Sequence, residues 1–486
     1  MADPQTQLVR GLNLRDTIAL VIGTIIGTGV FLKAAVMAQQ VGAPVWVLLA
    51  WIVAGLLSLA GALTYAELGA MMPHAGGEYV YLRQAYGELP AFLFGWMRLL
   101  VASSGSIAAF GAAFASFLAG LLSAQPALAA AYNQVWAQAD LEFLGQTVHW
   151  RFGPPQLVAV GLILGLSVIN CLRVVVGGRV QTALTLAKLL GIGLIVVGVF
   201  VFARDATWHN LFAPTGTPTW PGFSAFGAAM IAALWAYDGW NNMPMVAGEV
   251  KNPERNIPRA LILGMLVVLA VYGLINLAYH YALPIETLAA ARSTAHPDAL
   301  PAAALAAQMF LGRYGPALVS VVFLISALGT LNGSILTNAR VPFAMARAGF
   351  FFPILGRLHP RTAVPVASVI LQALWASVLA VSGSFDQLTD YVVFASWIFY
   401  AATTAAVFVL RRKLPDAPRP YRTLGYPMVP ALFVLVALWL LANTLQTHRV
   451  ESAFGLGLIA LGLPVYAWQR RRQRAPNTRA RTGKPF

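Results

Sequence analysis

Val21-Ile22-Gly23-Thr24-Ile25-Ile26-Gly27-Thr28-Gly29-Val30-Phe31 is an apolar stretch interrupted by three glycines and two threonines. A second stretch, Leu234-Trp235-Ala236-Tyr237-Asp238-Gly239-Trp240-Asn241-Asn242, is interrupted at a matching place in the second of two apparent halves. In lipid every backbone N–H and C=O needs a partner, so an unwound segment persists only where it is buried in protein or lines a cavity. Interruptions at corresponding positions of two halves point to a binding site made of broken helices.

The residues around these stretches set the class. The chain is 59% hydrophobic and 10% charged, against roughly 45–50% and about 25% in soluble domains. It reads as an integral membrane protein. Twelve apolar stretches are long enough to span a bilayer, near 17–36, 45–70, 90–123, 156–172, 183–203, 222–248, 259–282, 316–338, 364–382, 389–410, 427–444 and 453–468. The third and sixth exceed one span, which predicts a tilt or a break in each.

Residues 1–16 are polar and too short for a domain, and no cleavable leader is expected before the first span. The predicted core covers 17–410, with inverted repeats at 17–203 and 222–410. Residues 411–468 hold the last two helices and the loop before them, and 469–486 form a basic tail. A division into six plus six spans lacks support, because the basic and acidic signature of the major facilitator architecture is absent between spans 2 and 3. Five plus five plus two is favoured.

Of the 32 Lys and Arg residues, 23 fall on the side of the two termini, six on the other side and three within spans (Arg98, Lys188 and Arg340). This bias predicts that both termini are cytoplasmic. The net charge of +15 is then topogenic. The cluster Gln469-Arg470-Arg471-Arg472-Gln473-Arg474 suits anionic lipid, and no nucleic-acid partner is expected. Cys171 is the single cysteine, so an intramolecular disulfide is impossible.

Four segments carry a resemblance. They are the first glycine motif, Tyr65-Ala66-Glu67-Leu68 through Pro73-His74-Ala75-Gly76-Gly77-Glu78-Tyr79, Ala236-Tyr237-Asp238-Gly239-Trp240-Asn241 with Gly248-Glu249-Val250-Lys251-Asn252-Pro253, and Gly329-Thr330-Leu331-Asn332-Gly333-Ser334 with Asn338-Ala339-Arg340. Together they resemble the amino acid–polyamine–organocation superfamily and, within it, the L-type amino acid transporter family. The resemblance implies an all-α membrane fold of twelve transmembrane helices in a leucine-transporter-like 5+5 inverted repeat, with helices 1 and 6 discontinuous and helices 11 and 12 added. It also implies a sodium-independent secondary transporter of L-amino acids, foremost an exchanger of neutral amino acids working by alternating access. A proton-coupled symporter on the same scaffold, or an exchanger accepting cationic amino acids through Asp238, is the second reading, and an intramembrane enzyme is the remote one.

The residues fit that chemistry. Gly27, Thr28 and Gly29 permit a turn whose N–H groups open a half-helix, and the positive end of its dipole suits a carboxylate. The carbonyls near Ile25 and Ile26 are candidates to accept from an ammonium. In the resembling family this segment holds the α-carboxylate and α-amino group of the substrate. The competing reading is a helix-packing motif, since Gly23 and Gly27 are four apart. Trp235 aligns with the family's aromatic gate.

Asp238 is a carboxylate in mid-membrane, costing at least ~2.5 kcal/mol by insertion scales. It either attracts a substrate ammonium or cationic side chain, or caps the second half-helix through the N–H groups of Trp240 and Asn241. Asn241 is a candidate polar contact to the ligand.

Lys188 stands alone in the middle of span 5. In the resembling fold a sodium ion lies between spans 1 and 8, and the family's span-5 lysine puts its ammonium near that point, bonded to a span-8 hydroxyl. Ser326 matches that hydroxyl. Lys188 is therefore expected to substitute for sodium, with snorkelling to an interface as the alternative. Arg340 and Glu67 are read as a structural ion pair or gate, and Arg98 as a snorkelling cation without function. No His-Glu-x-x-His motif or convincing Ser/His/Asp set marks an enzyme, and no metal or other cofactor is expected. Family members in animals bind a heavy subunit through a cysteine between spans 3 and 4. Residues 124–155 contain none, so no disulfide-linked partner is expected, and a non-covalent oligomer stays open.

Overall fold

The computed structural model describes residues 7–143, 146–212, 219–293, 295–382, 385–447 and 449–474. Helices occupy all twelve apolar stretches. Among the described residues eight helices are long and apolar enough to cross a membrane: Leu14–Val41, Pro44–Met71, Glu88–Leu122, Val174–Phe202, Pro253–Ala282, Ala302–Arg347, Phe394–Lys413 and Met428–Gln446. Pro154–Asn170 and Val366–Ser382 are shorter apolar helices.

The first helix starts with a capping box. The Asp16 N–H donates to Asn13 Oδ1 and the Asn13 N–H to Asp16 Oδ2, both at 3.1 Å, which satisfies two donors that a helix N-terminus leaves open. The helix stops at Ile25 and a second begins at Gly29. The sixth stretch behaves differently. Phe223–Tyr237 is α-helical, Asp238 is extended and Gly239 has φ 116°. The chain then winds tightly, as a 3-10 helix, over Trp240–Glu249. The overlong third stretch carries a π-helical turn at Arg98–Ala102 rather than a break.

Three expectations need correction. Span 5 begins at Val174, nine residues before the expected 183. Its early polar residues look like loop, but Gln181 is buried and its Oε1 accepts from the Asn332 side chain at 2.9 Å. The seventh helix begins at Pro253 rather than near 259. Proline suits the first helical turn, where its missing N–H is no loss. The class is also not purely α. Ala137–Phe143 pairs antiparallel with Gln146–Phe152 between the third and fourth stretches. Trp150 anchors this hairpin by donating its indole N–H to the Val381 carbonyl at 2.8 Å.

Two ion pairs, one fully and one partly buried, tie distant segments together. Arg340 meets Glu249 through two contacts of 2.8 Å. Glu67 accepts from Arg411 at 2.9 and 2.7 Å and from the Thr423 N–H at 2.7 Å. The expected Arg340–Glu67 pairing is thus replaced, each partner finding an opposite charge on another segment.

Candidate functional site

The two interruptions meet. A Cβ added at Gly29 would lie 2.6 Å from the Cα of Ala236, and one at Gly239 would lie 2.7 Å from the Thr24 carbonyl oxygen. Only glycine allows backbone to approach backbone this closely, and at φ 116° only glycine is unstrained. The Thr24 hydroxyl is 3.1 Å from the Gly239 carbonyl.

Beside this junction lies a cavity. Thr24, Ile25, Gly27, Thr28 and Gly29 line it from the first interruption, and Trp235, Ala236, Asp238, Gly239 and Asn242 from the second. The third helix adds Arg98, Ser103, Ser106 and Phe110, and the eighth adds Ser334 and Asn338. The Trp235 ring lies 6.5 Å from that of Phe110 across the cavity wall.

The first interruption divides its backbone groups. Lys188 is fully buried, and its ammonium donates to the carbonyls of Gly23 at 2.9 Å, Ile26 at 2.6 Å and Ser326 at 3.1 Å, and to the Thr330 hydroxyl at 3.2 Å. The Ser326 hydroxyl reaches the Ile26 carbonyl at 3.0 Å, and Tyr272 donates to that of Ile25 at 3.1 Å. In contrast, the N–H groups of Gly27, Thr28 and Gly29 find no partner among the described residues. The carbonyls thus meet protein donors, whereas these three amides meet no acceptor among the described residues.

This corrects two expectations. The carbonyls of Ile25 and Ile26 are already engaged by side chains, and Ile26 is not part of the cavity wall. The hydroxyl that meets Lys188 is Thr330, one turn beyond Ser326; Ser326 offers Lys188 its carbonyl instead. Snorkelling of Lys188 is excluded by its complete burial.

The second interruption is held by its own side chains. Asp238 accepts from Tyr400 at 2.6 Å and from the Gly239 N–H, and among the described residues it makes no bond to the N–H of Trp240 or Asn241. Asn241 does not line the cavity. It turns away and donates to Glu78 Oε2 at 3.0 Å, while Tyr65 donates to Glu78 Oε1 at 2.5 Å. Burial pushes the Glu78 carboxyl above its usual range, against the lowering effect of Arg98 and these hydrogen bonds. The neighbouring Asn242 takes the wall position and accepts from Arg98. Arg98 is buried, not snorkelling, and also donates to Asn338 Oδ1 at 3.0 Å.

Sequence reasoning missed Arg98, Ser103, Asn242, Thr330, Asn338 and Tyr400. A signal existed for part of this set. Thr330, Ser334 and Asn338 recur every four residues, which is one polar stripe of a helix. Nothing in the sequence marks the π turn that shifts the face of the third helix.

A model of the family described as amino acid permease matches residues 12–461. The chain belongs to the amino acid permease family. Among the relatives of this permease is the serine/threonine exchanger SteT of Bacillus subtilis, 32% identical over 96% of this chain and 98% of SteT. The human b(0,+)-type amino acid transporter 1 is 30% identical over 95% of this chain and 88% of its own length. The human cystine/glutamate transporter is 29% identical, covering 95% and 85%. With its apolar helices, the permease is a multi-pass membrane protein.

Proposed function

We propose that the permease is a sodium-independent secondary transporter that exchanges neutral L-amino acids across the cytoplasmic membrane by alternating access. Its relatives include proteins named as exchangers and amino acid transporters, and the site chemistry is compatible with that activity. One observation carries the reading. The carbonyls of the first interruption are held by Lys188 and neighbouring hydroxyls, while Gly27, Thr28 and Gly29 line the cavity and their amides have no partner among the described residues. An α-carboxylate, common to every amino acid, satisfies such donors at a helix start.

An ammonium among three carbonyls and a hydroxyl stands where a bound cation could otherwise bridge the first and eighth helices. On this reading Lys188 is the permanent cation, so exchange needs no sodium. Trp235 closes over the substrate. Asp238 is engaged by Tyr400 and lies within electrostatic reach of Arg98, which disfavours a role in drawing in cationic side chains. The twelve-span 5+5 repeat, both termini in the cytoplasm and action without a disulfide-linked subunit complete the proposal. The basic bias of the terminal side and the lack of cysteine in 124–155 support the last two.

The test is uptake of a panel of labelled amino acids into proteoliposomes, with and without internal amino acid, sodium or a pH gradient. Uptake that requires internal amino acid and ignores sodium is the expected result. Accumulation driven by the pH gradient alone would replace exchange by proton symport.

A further inference from the structure

Arg98 places a guanidinium in the cavity wall, and no direct contact neutralises it. Arg340 and Arg411 each grip a carboxylate with two hydrogen bonds. Arg98 instead donates through Nη2 to two neutral amide oxygens, those of Asn242 and Asn338. Its nearest polar neighbour beyond these is the Tyr400 hydroxyl, which lies against it while donating to Asp238, and the carboxylates of Glu78 and Asp238 act on it through space. No carboxylate lies within 4 Å of Arg98 among the described residues. A buried cation without a contacting anion is costly unless something else balances it.

A further donor of that side chain is open. Arg98 Nε is buried and makes no hydrogen bond among the described residues, and the same holds for Ser103 Oγ. Both residues line the cavity and are 4% and 3% exposed. They are brought into line by the π turn, in which the Ser103 N–H bonds to the Arg98 carbonyl. Residues five apart stack in a π turn, whereas in an α-helix they diverge, and such turns are frequent at functional sites. The two asparagine oxygens fix the guanidinium while leaving Nε unengaged.

We propose that Arg98 and Ser103 form a second carboxylate-binding position in the cavity, separate from the amides of Gly27, Thr28 and Gly29. It rests on the reading of the cavity as an amino acid site. A charged N–H beside a hydroxyl matches the two oxygens of a carboxylate. The carboxylate has two sources: the side chain of an acidic amino acid held at the first position, or the α-carboxylate of any substrate moving through the cavity.

The experiment measures exchange of labelled serine and labelled glutamate by the full-length permease in proteoliposomes, for wild type, Arg98→Gln and Ser103→Ala. A fall in glutamate uptake in Arg98→Gln that exceeds the fall in serine uptake by roughly 10-fold or more assigns the position to acidic side chains. A fall of similar size in the maximal rate for serine, with its KM unchanged, assigns it to substrate in transit. Ser103→Ala is expected to shift the same parameter less, and it serves if Arg98→Gln does not fold. Equal and unaltered kinetics of both substrates in both variants would overturn the proposal. Wild-type protein that moves no amino acid at all would instead overturn the transporter reading beneath it.

Discussion

The two interruptions solve one problem with different parts of the chain. At residues 26–28 the helix is held by groups from elsewhere: Lys188, Ser326, Thr330 and Tyr272 reach in to its carbonyls. What it presents to the cavity is backbone. At residues 236–242 outside hydroxyls also reach in, Tyr272 to the Ala236 carbonyl and Thr24 to that of Gly239, but the segment adds side chains of its own, Asp238 to Tyr400, Asn241 to Glu78 and Asn242 to Arg98. What it presents is side-chain chemistry. Backbone amides suit the part that all amino acids share, and side chains suit what distinguishes them. Interruptions that look symmetric in sequence thus need not make symmetric sites.

The largest expected effect comes from removing the cation of the first interruption. Lys188→Ala removes the charged donor shared by three buried carbonyls, which the Thr330 hydroxyl alone cannot serve at once, so exchange should drop roughly 100-fold or more. Initial rates in proteoliposomes check this, and near-normal turnover would show that the carbonyls do not need the ammonium.

Next is the junction itself. Gly29→Ala drives a methyl to 2.6 Å from Ala236, an overpacking of about 1–3 kcal/mol that should lower the thermal midpoint and slow exchange on the order of 10-fold. A variant with unchanged melting and rate would mean that the two interruptions do not need this approach.

A smaller effect separates two hydroxyls. Thr330→Val removes the one that meets Lys188 and should slow exchange about 10-fold, while Ser326→Ala should cost only a few-fold, since its carbonyl stays. The reverse order would return Ser326 to the position expected from the sequence.

The smallest change concerns the second interruption. Tyr400→Phe frees the Asp238 carboxylate, a loss of about 1.5–3 kcal/mol for a charged hydrogen bond that should raise competition by lysine roughly 3- to 10-fold. Competition assays against a labelled neutral amino acid measure it. No change in charge preference would leave Asp238 a structural residue.

Much of this is legible in the residues themselves. Composition marks the membrane, glycines mark both interruptions, and an isolated Lys188 in an apolar helix marks a buried cation. The failures share a cause. Gln181 reads as loop, Arg98 as surface and Asn241 as a ligand contact, because sequence shows polarity but not who satisfies it. Asn241 and Asn242 are adjacent and chemically identical, yet one meets Glu78 and the other Arg98. Only the tight winding after Gly239 decides which faces the cavity.

That this chain lives in lipid, and that its helices open at 26–28 and 238–239, follows from local chemistry: hydrocarbon offers no partner to a free amide, and glycine permits the turn. Three-dimensional packing chose which donors close the carbonyls, which asparagine turns inward and that Arg98 joins the wall. Those choices depend on distances of a few ångströms between segments up to 307 residues apart, such as Thr330 and Gly23, and no local pattern encodes them.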